Sequence, residues 1–116
     1  MLTEAQVRQW ALSFEEATES PHFEKSSFRV KKKIFCTVDT HKNTAVLKLT
    51  EADQSVFSAY DPEAVYPVKG AWGKKGWTIF LLDKTHPDLF KDALTTSYCN
   101  VAPKKLAEKY SQSNAS

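Results

Sequence analysis

The sequence predicts an α+β domain: a mainly antiparallel sheet of two hairpins joined as a meander and flanked by N-terminal and C-terminal helices. Three observations predict it. Apolar residues near the start recur every three to four positions, those from Phe28 to Leu49 and again from Val65 to Leu82 alternate by two, and a helical period returns after Pro87. A chain of 116 residues holds one core, so residues 1–110 are read as one domain and 111–116, small and polar, as a frayed tail.

Thr3-Glu4-Ala5-Gln6 forms a capping box, and Leu2, Val7, Trp10, Ala11 and Phe14 share one face of a first helix running to about Thr18. Pro21 forbids its continuation. Phe28 and Val30, then Ile34, Cys36 and Val38, alternate with Arg29, Lys33, Phe35 and Thr37, which makes two strands. Lys31-Lys32 is their turn, although neither glycine nor asparagine is present to supply positive φ. After the polar stretch Asp39 to Asn43, a third strand places Ala45, Leu47 and Leu49 on one face.

Thr50 with Glu51 and Asp53 begins a short helix to about Tyr60, closed by Asp61-Pro62. Val65 to Trp72 leads into Gly73-Lys74-Lys75-Gly76, read as a turn, and Trp77 to Leu82 completes a second hairpin. Trp77 alternates with Ile79 and Leu81 and is expected in the core, whereas Trp72 beside Gly73 is expected at the surface. His86-Pro87-Asp88 opens a longer helix with the stripe Leu89, Phe90, Ala93, Leu94 and Tyr98, ending near Val101. Pro103 starts a further helix through Tyr110, and no internal repeat is present.

The total charge of +2 hides an asymmetry. Residues 25–48 carry seven basic side chains against Asp39 alone, a local +6, leaving −4 for the rest of the chain. Such a field attracts phosphate by counterion release. The plainer reading is that these lysines keep sheet edges from pairing with other chains and maintain solubility. Trp72, Trp77, Phe80 and Tyr66 likewise suit either stacking on unpaired bases or ordinary core packing.

Catalytic and metal readings find less support. His22, His41 and His86 lie in separate segments, without metal-ligand spacing. Gly73-Lys74-Lys75-Gly76 lacks the length and context of a phosphate loop, and no nucleophile elbow or dinucleotide fingerprint occurs. Cys36 and Cys99 are too far apart and too unlike in context for a metal pair and are read as free buried thiols. With no long apolar run and no basic leader, a cytoplasmic location without membrane contact is expected.

Glu19-Ser20-Pro21-His22-Phe23, Phe28-Arg29-Val30 through Phe35, Leu47-Lys48-Leu49, Tyr66-Pro67, Trp72-Gly73-Lys74-Lys75-Gly76-Trp77-Thr78 and Ser97-Tyr98 with Val101 occur in an order that resembles the MmcQ/YjbR-like family. The resemblance runs from the first helix to about Leu106. It implies a secretion-chaperone-like α+β fold carrying a double-wing DNA-binding motif, with the wings at Lys31-Lys32-Lys33 and Lys74-Lys75. The chain departs from the family at the first turn, where Lys32-Lys33 replaces glycine then lysine. That raises the charge and removes a residue suited to a strained turn.

The expectation is therefore a non-catalytic binding domain without cofactor or metal, contacting DNA through Arg29, Lys31, Lys32, Lys33, Lys74, Lys75 and Trp72. A protein-interaction or chaperone-like adaptor role is the alternative, and a small-molecule or enzymatic role is third.

Overall fold

The computed structural model describes residues 2–22 and 25–111. Phe23 of the family-like motif and residues 112–116 of the expected tail lie outside that range, and Ser111 is the last residue of a helix. In chain order the elements are α1 (Glu4–Ser13), β1 (Ala17–His22), β2 (Lys25–Val30), β3 (Lys33–Asp39), β4 (Thr44–Lys48), α2 (Glu51–Tyr60), β5 (Val65–Pro67), α3 (Ala71–Lys74), β6 (Trp77–Leu81), α4 (Pro87–Val101) and α5 (Lys104–Ser111). The strands form one antiparallel sheet in the order β1-β2-β3-β4-β6-β5.

Thr3 and Gln6 make the expected capping box, but α1 ends at Ser13, short of Thr18. Phe14 leaves the helix in an extended conformation and turns into the core, where it stacks on Tyr98 at 4.5 Å and meets Phe35 edge-on at 6.1 Å. Burying a phenyl ring contributes about 1.5–3 kcal/mol, more than another turn of exposed helix would. Glu16, at φ 62°, reverses the chain into β1, a strand that the sequence reading did not foresee. Pro21 is compatible with β1 because β1 is an outermost strand, and Pro67 occupies the opposite edge in β5. A proline at each edge blunts pairing with a further strand.

The β2–β3 turn is Lys31-Lys32, with φ of 51° and 70°. Two positive φ values are the signature of the type I′ turn that suits strand twist, and here lysines adopt them. Just before the turn the register shifts between Phe28 and Arg29, so Phe28 pairs with Cys36 while Arg29 pairs with Ile34. This bulge makes Phe35 and Cys36 both buried and leaves Ile34 on the other face of the sheet, against the simple alternation.

The second hairpin also differs from expectation. β5 and β6 do pair, but Gly73 and Lys74 belong to α3 and Lys75 caps it, its amide donating to Trp72 and Ala71 carbonyls at 3.1 and 3.2 Å. Gly76 then turns the chain at φ 102°. In β6 the buried set is Thr78 and Phe80, followed by Leu82, while Trp77, Ile79 and Leu81 are half-buried on the opposite face. Both sets contain large apolar residues, so period two alone could not choose between them.

Helices cover one face of the sheet. Phe80 packs edge-on against Phe90 of α4 at 5.6 Å and Phe57 of α2 at 6.4 Å, and the Ser97 hydroxyl donates to the Phe35 carbonyl at 2.7 Å. Tyr110 of α5 closes the far end against Phe14 and Tyr98.

Candidate functional site

Cross-strand partners share a face, so the register places Arg29 with Ile34, Thr37 with Val46, Ile79 and Tyr66, and Lys48 with Trp77, all on the face opposite Phe80. Ile34, Thr37, Val46, Trp77 and Ile79 remain half-buried and Tyr66 is exposed. This face is open where its counterpart is sealed by helices.

At the end of the sheet near the Lys31-Lys32 turn lies a hollow of about 510 Å³, lined by Arg29, Lys32, Lys33 and Lys48, by Ile34 and Trp77 of the open face, and by Asn100 and Val101 at the end of α4. None of its described lining residues is acidic. Arg29 and Lys48 flank β3 from β2 and β4, two strand spacings or about 10 Å apart. Arg29 Nε is steadied by Ser27 Oγ at 3.3 Å. A second hollow, of about 490 Å³, shares Ile34 and Trp77 and adds Thr37, Val46, Trp72 and Lys25. The two therefore adjoin, one cationic and one largely apolar and aromatic.

α3 joins this surface through its side chains and its end. The Lys48 ammonium donates to the Lys75 carbonyl and lies 5.6 Å from the Trp77 ring centroid, while Lys75 Nζ lies 5.7 Å from that of Trp72. Trp72 meets Trp77 edge-on at 6.3 Å and is still 61% exposed. The helix is held from below by Gln54, whose Nε2 donates to the Gly73 carbonyl at 2.9 Å, the Thr78 hydroxyl at 3.1 Å and the Trp77 carbonyl at 3.2 Å.

Of the residues singled out in the sequence, Arg29, Lys32 and Lys33 come together, and Lys75 and Trp72 reach them through Lys48 and Trp77. Lys31 does not: its ammonium pairs with Glu16 at 2.6 Å. Lys74 is exposed in the last turn of α3 and lines neither hollow. Lys48, absent from the expected contact residues, joins the hollow, and its place between the core residues Leu47 and Leu49 is the signal that it points to the opposite face. Negative charge gathers elsewhere, in a hollow at the start of α4 that includes Asp61, Asp88 and Asp92.

Burial pushes the Cys36 and Cys99 thiols up, Cys36 the more strongly, which keeps both protonated at neutral pH. Cys36 is buried and Cys99 half-buried. Among the described residues, no three His, Cys, Asp or Glu side chains are grouped to hold a metal ion, and no helix is long and apolar enough to cross a membrane.

Fold and site define a small α+β domain whose antiparallel sheet leaves one face open beside a cationic hollow. The chain belongs to the YjbR family, whose model matches residues 12–100. It is similar to the crystal structure of a Deinococcus radiodurans protein with a DUF419 domain, with a TM-score of 0.78 and 22% identity over 99% of this chain and 89% of that one. A Pseudomonas syringae protein of solved structure is similar with a TM-score of 0.65 and 12% identity, over 86% of this chain and 99% of its own. No curated protein sequence matches the chain.

Proposed function

We propose that this domain binds DNA, gripping its phosphate backbone with the cationic surface formed where the Lys31-Lys32 turn of the first wing meets the end of α3. One observation carries the reading: Arg29, Lys32, Lys33 and Lys48 line a single hollow with no described carboxylate in its wall, and Lys48 ties the Lys75 segment to the same side. Four cations converging from β2, the turn, β3 and β4 concentrate positive potential as lysines scattered for solubility would not. The wings of this reading are unequal. The first is a true two-residue hairpin, and the second is the turn of helix Ala71–Lys74 followed by Lys75. As proposed, the domain works by binding alone, without a catalytic step, cofactor or metal.

The test is a mobility-shift titration of duplex and single-stranded DNA at low and moderate salt. Binding should weaken steeply with salt, by close to one power of the salt concentration per phosphate contacted. Lys32→Glu with Lys33→Glu should reduce affinity at least tenfold for every sequence alike, because backbone contacts carry no sequence information. Failure to bind either form at low salt would overturn the proposal.

Val56 and Tyr60 favour a second reading, a protein-docking module. They are exposed at 65% and 70%, one helical turn apart on α2. Self-association in sedimentation that Val56→Glu abolishes, with DNA affinity unchanged, would support it.

A further inference from the structure

We infer that the nucleic acid bound is unpaired, its bases stacked on Trp72 and Trp77 along the open face of the sheet while its phosphates occupy the Arg29–Lys48 hollow. The inference rests on the nucleic-acid reading above and names the form of the polymer.

The cationic hollow and the aromatic one share Ile34 and Trp77 as a common wall, so a strand lying in the first has its next groups over the second. Ile34, Val46 and Trp77 offer that strand an apolar floor, and Trp72 stands beside it as an indole left 61% exposed. Lys25 supplies a further cation at the far side of the aromatic hollow. An alternation of charged and flat apolar surfaces matches an unpaired strand, which presents phosphates and base faces side by side. A duplex presents phosphates outside and hides its base faces in the stack, so it could use the cationic hollow but leave the aromatic one empty. Charge complementarity thus selects a polyanion for this face, and the aromatic floor selects one whose bases are free.

Trp72 is suited to the role because it is held without being covered. Gln54 anchors the α3 backbone beneath it, and Trp77 and Lys75 restrain its ring. A restrained ring loses little freedom when a base stacks on it.

The test compares three probes of equal length against the full chain: single-stranded oligothymidine, an abasic single strand and a duplex. Oligothymidine should bind at least tenfold more tightly than either of the others and quench tryptophan fluorescence. Trp72→Ala, at an exposed position where folding is spared, should weaken oligothymidine binding roughly tenfold to hundredfold, and Trp72→Phe should restore part of it. The same variant should weaken duplex and abasic binding by much less than it weakens oligothymidine binding. Equal binding of abasic and base-bearing strands would overturn the inference and leave the phosphate-binding reading intact. Absence of binding to any probe at low salt would overturn both. Self-association lost in Trp72→Ala would assign the face to a second copy of the chain and overturn it as well.

Discussion

The side-chain amide of Gln54 in α2 donates to the Gly73 carbonyl of α3 at 2.9 Å, so the helix that carries Trp72 is fastened to the sheet by one buried glutamine. Nε2 reaches Thr78 as well, and the Thr78 hydroxyl donates in turn to the Gly76 carbonyl at 2.9 Å. Replacing Gln54 by leucine removes its donors to the Gly73 and Trp77 carbonyls and the Thr78 hydroxyl, leaving the carbonyls only their backbone partners, Gly76 N–H on Gly73 and Val68 N–H on Trp77. A loss of about 1–3 kcal/mol in urea-induced unfolding is expected, with DNA affinity falling as α3 loosens. A variant as stable as the parent would show that the network does not hold α3.

Gly73 and Gly76 bear the backbone contacts that fit α3 onto the sheet. A Cβ at Gly73 would lie 1.8 Å from the Val68 carbonyl oxygen, and one at Gly76 would lie 1.7 Å from that of Leu49. In both cases the obstacle is backbone, which yields far less readily than a side-chain tip. Gly76→Ala should cost on the order of 3 kcal/mol, because the clash adds to the strain of a positive φ. Thermal unfolding reads this directly, and a melting temperature within 2 °C or so of the parent would contradict it.

Lys32 holds φ at 70°, in a conformation that disfavours any side chain with a Cβ. Lys32→Gly should therefore stabilise the fold by about 0.5–1 kcal/mol in chemical denaturation. Under the DNA-binding proposal the same change should weaken binding through loss of one cation. Stability and binding moving in opposite directions would identify Lys32 as a charge retained at the expense of turn geometry; a variant less stable than the parent would contradict the strain.

Two groups set pH limits. The phenol of Tyr98 donates to the Glu15 carbonyl at 2.6 Å, and burial, reinforced by Tyr110 and Glu15, pushes its pKa up to about 12. Its neutral form is the folded one, so its contribution is complete below about pH 10 and is lost as pH rises toward 12. Tyr98→Phe should flatten the alkaline limb of the stability profile.

At the acid end, the hydrogen-bonded Arg8 guanidinium holds the Glu19 carboxyl below its usual range, across contacts of 3.0 and 3.1 Å between α1 and β1. That stability is present above the unfolded carboxylate pKa and is lost as pH falls through the depressed one. The pair is partly exposed, so Glu19→Gln should cost no more than about 1 kcal/mol at neutral pH, and progressively less in acid. An undiminished cost at low pH would assign the effect to packing.

Local chemistry in the sequence determined most of the scaffold. Thr3 with Gln6, Thr50 with Asp53 and Pro87 after His86 start helices where they are found, because a cap acts within one turn. Ala45, Leu47 and Leu49 face the core as their spacing requires, with the polar Thr44 and Lys48 on the other face beside Val46. The cationic run was visible as composition.

Tertiary structure decided the rest. β1 exists because the neighbouring β2 pairs with it, from His22 with Lys25 to Ala17 with Val30, although Ala17 to His22 has no strong strand propensity of its own. The bulge beside Phe28 moves Ile34 to the open face and Phe35 into the core, and the choice of buried face in β6 sends Trp77 outward to meet Trp72. Lys31 is withdrawn by Glu16, and Lys48 is brought in by its pairing across from Trp77. Capping and turn chemistry act over a few residues and can be read along the chain, whereas register, bulge and burial are settled by partners remote in sequence. The candidate site, assembled from β2, β3, β4, α3, β6 and the end of α4, belongs wholly to that second kind.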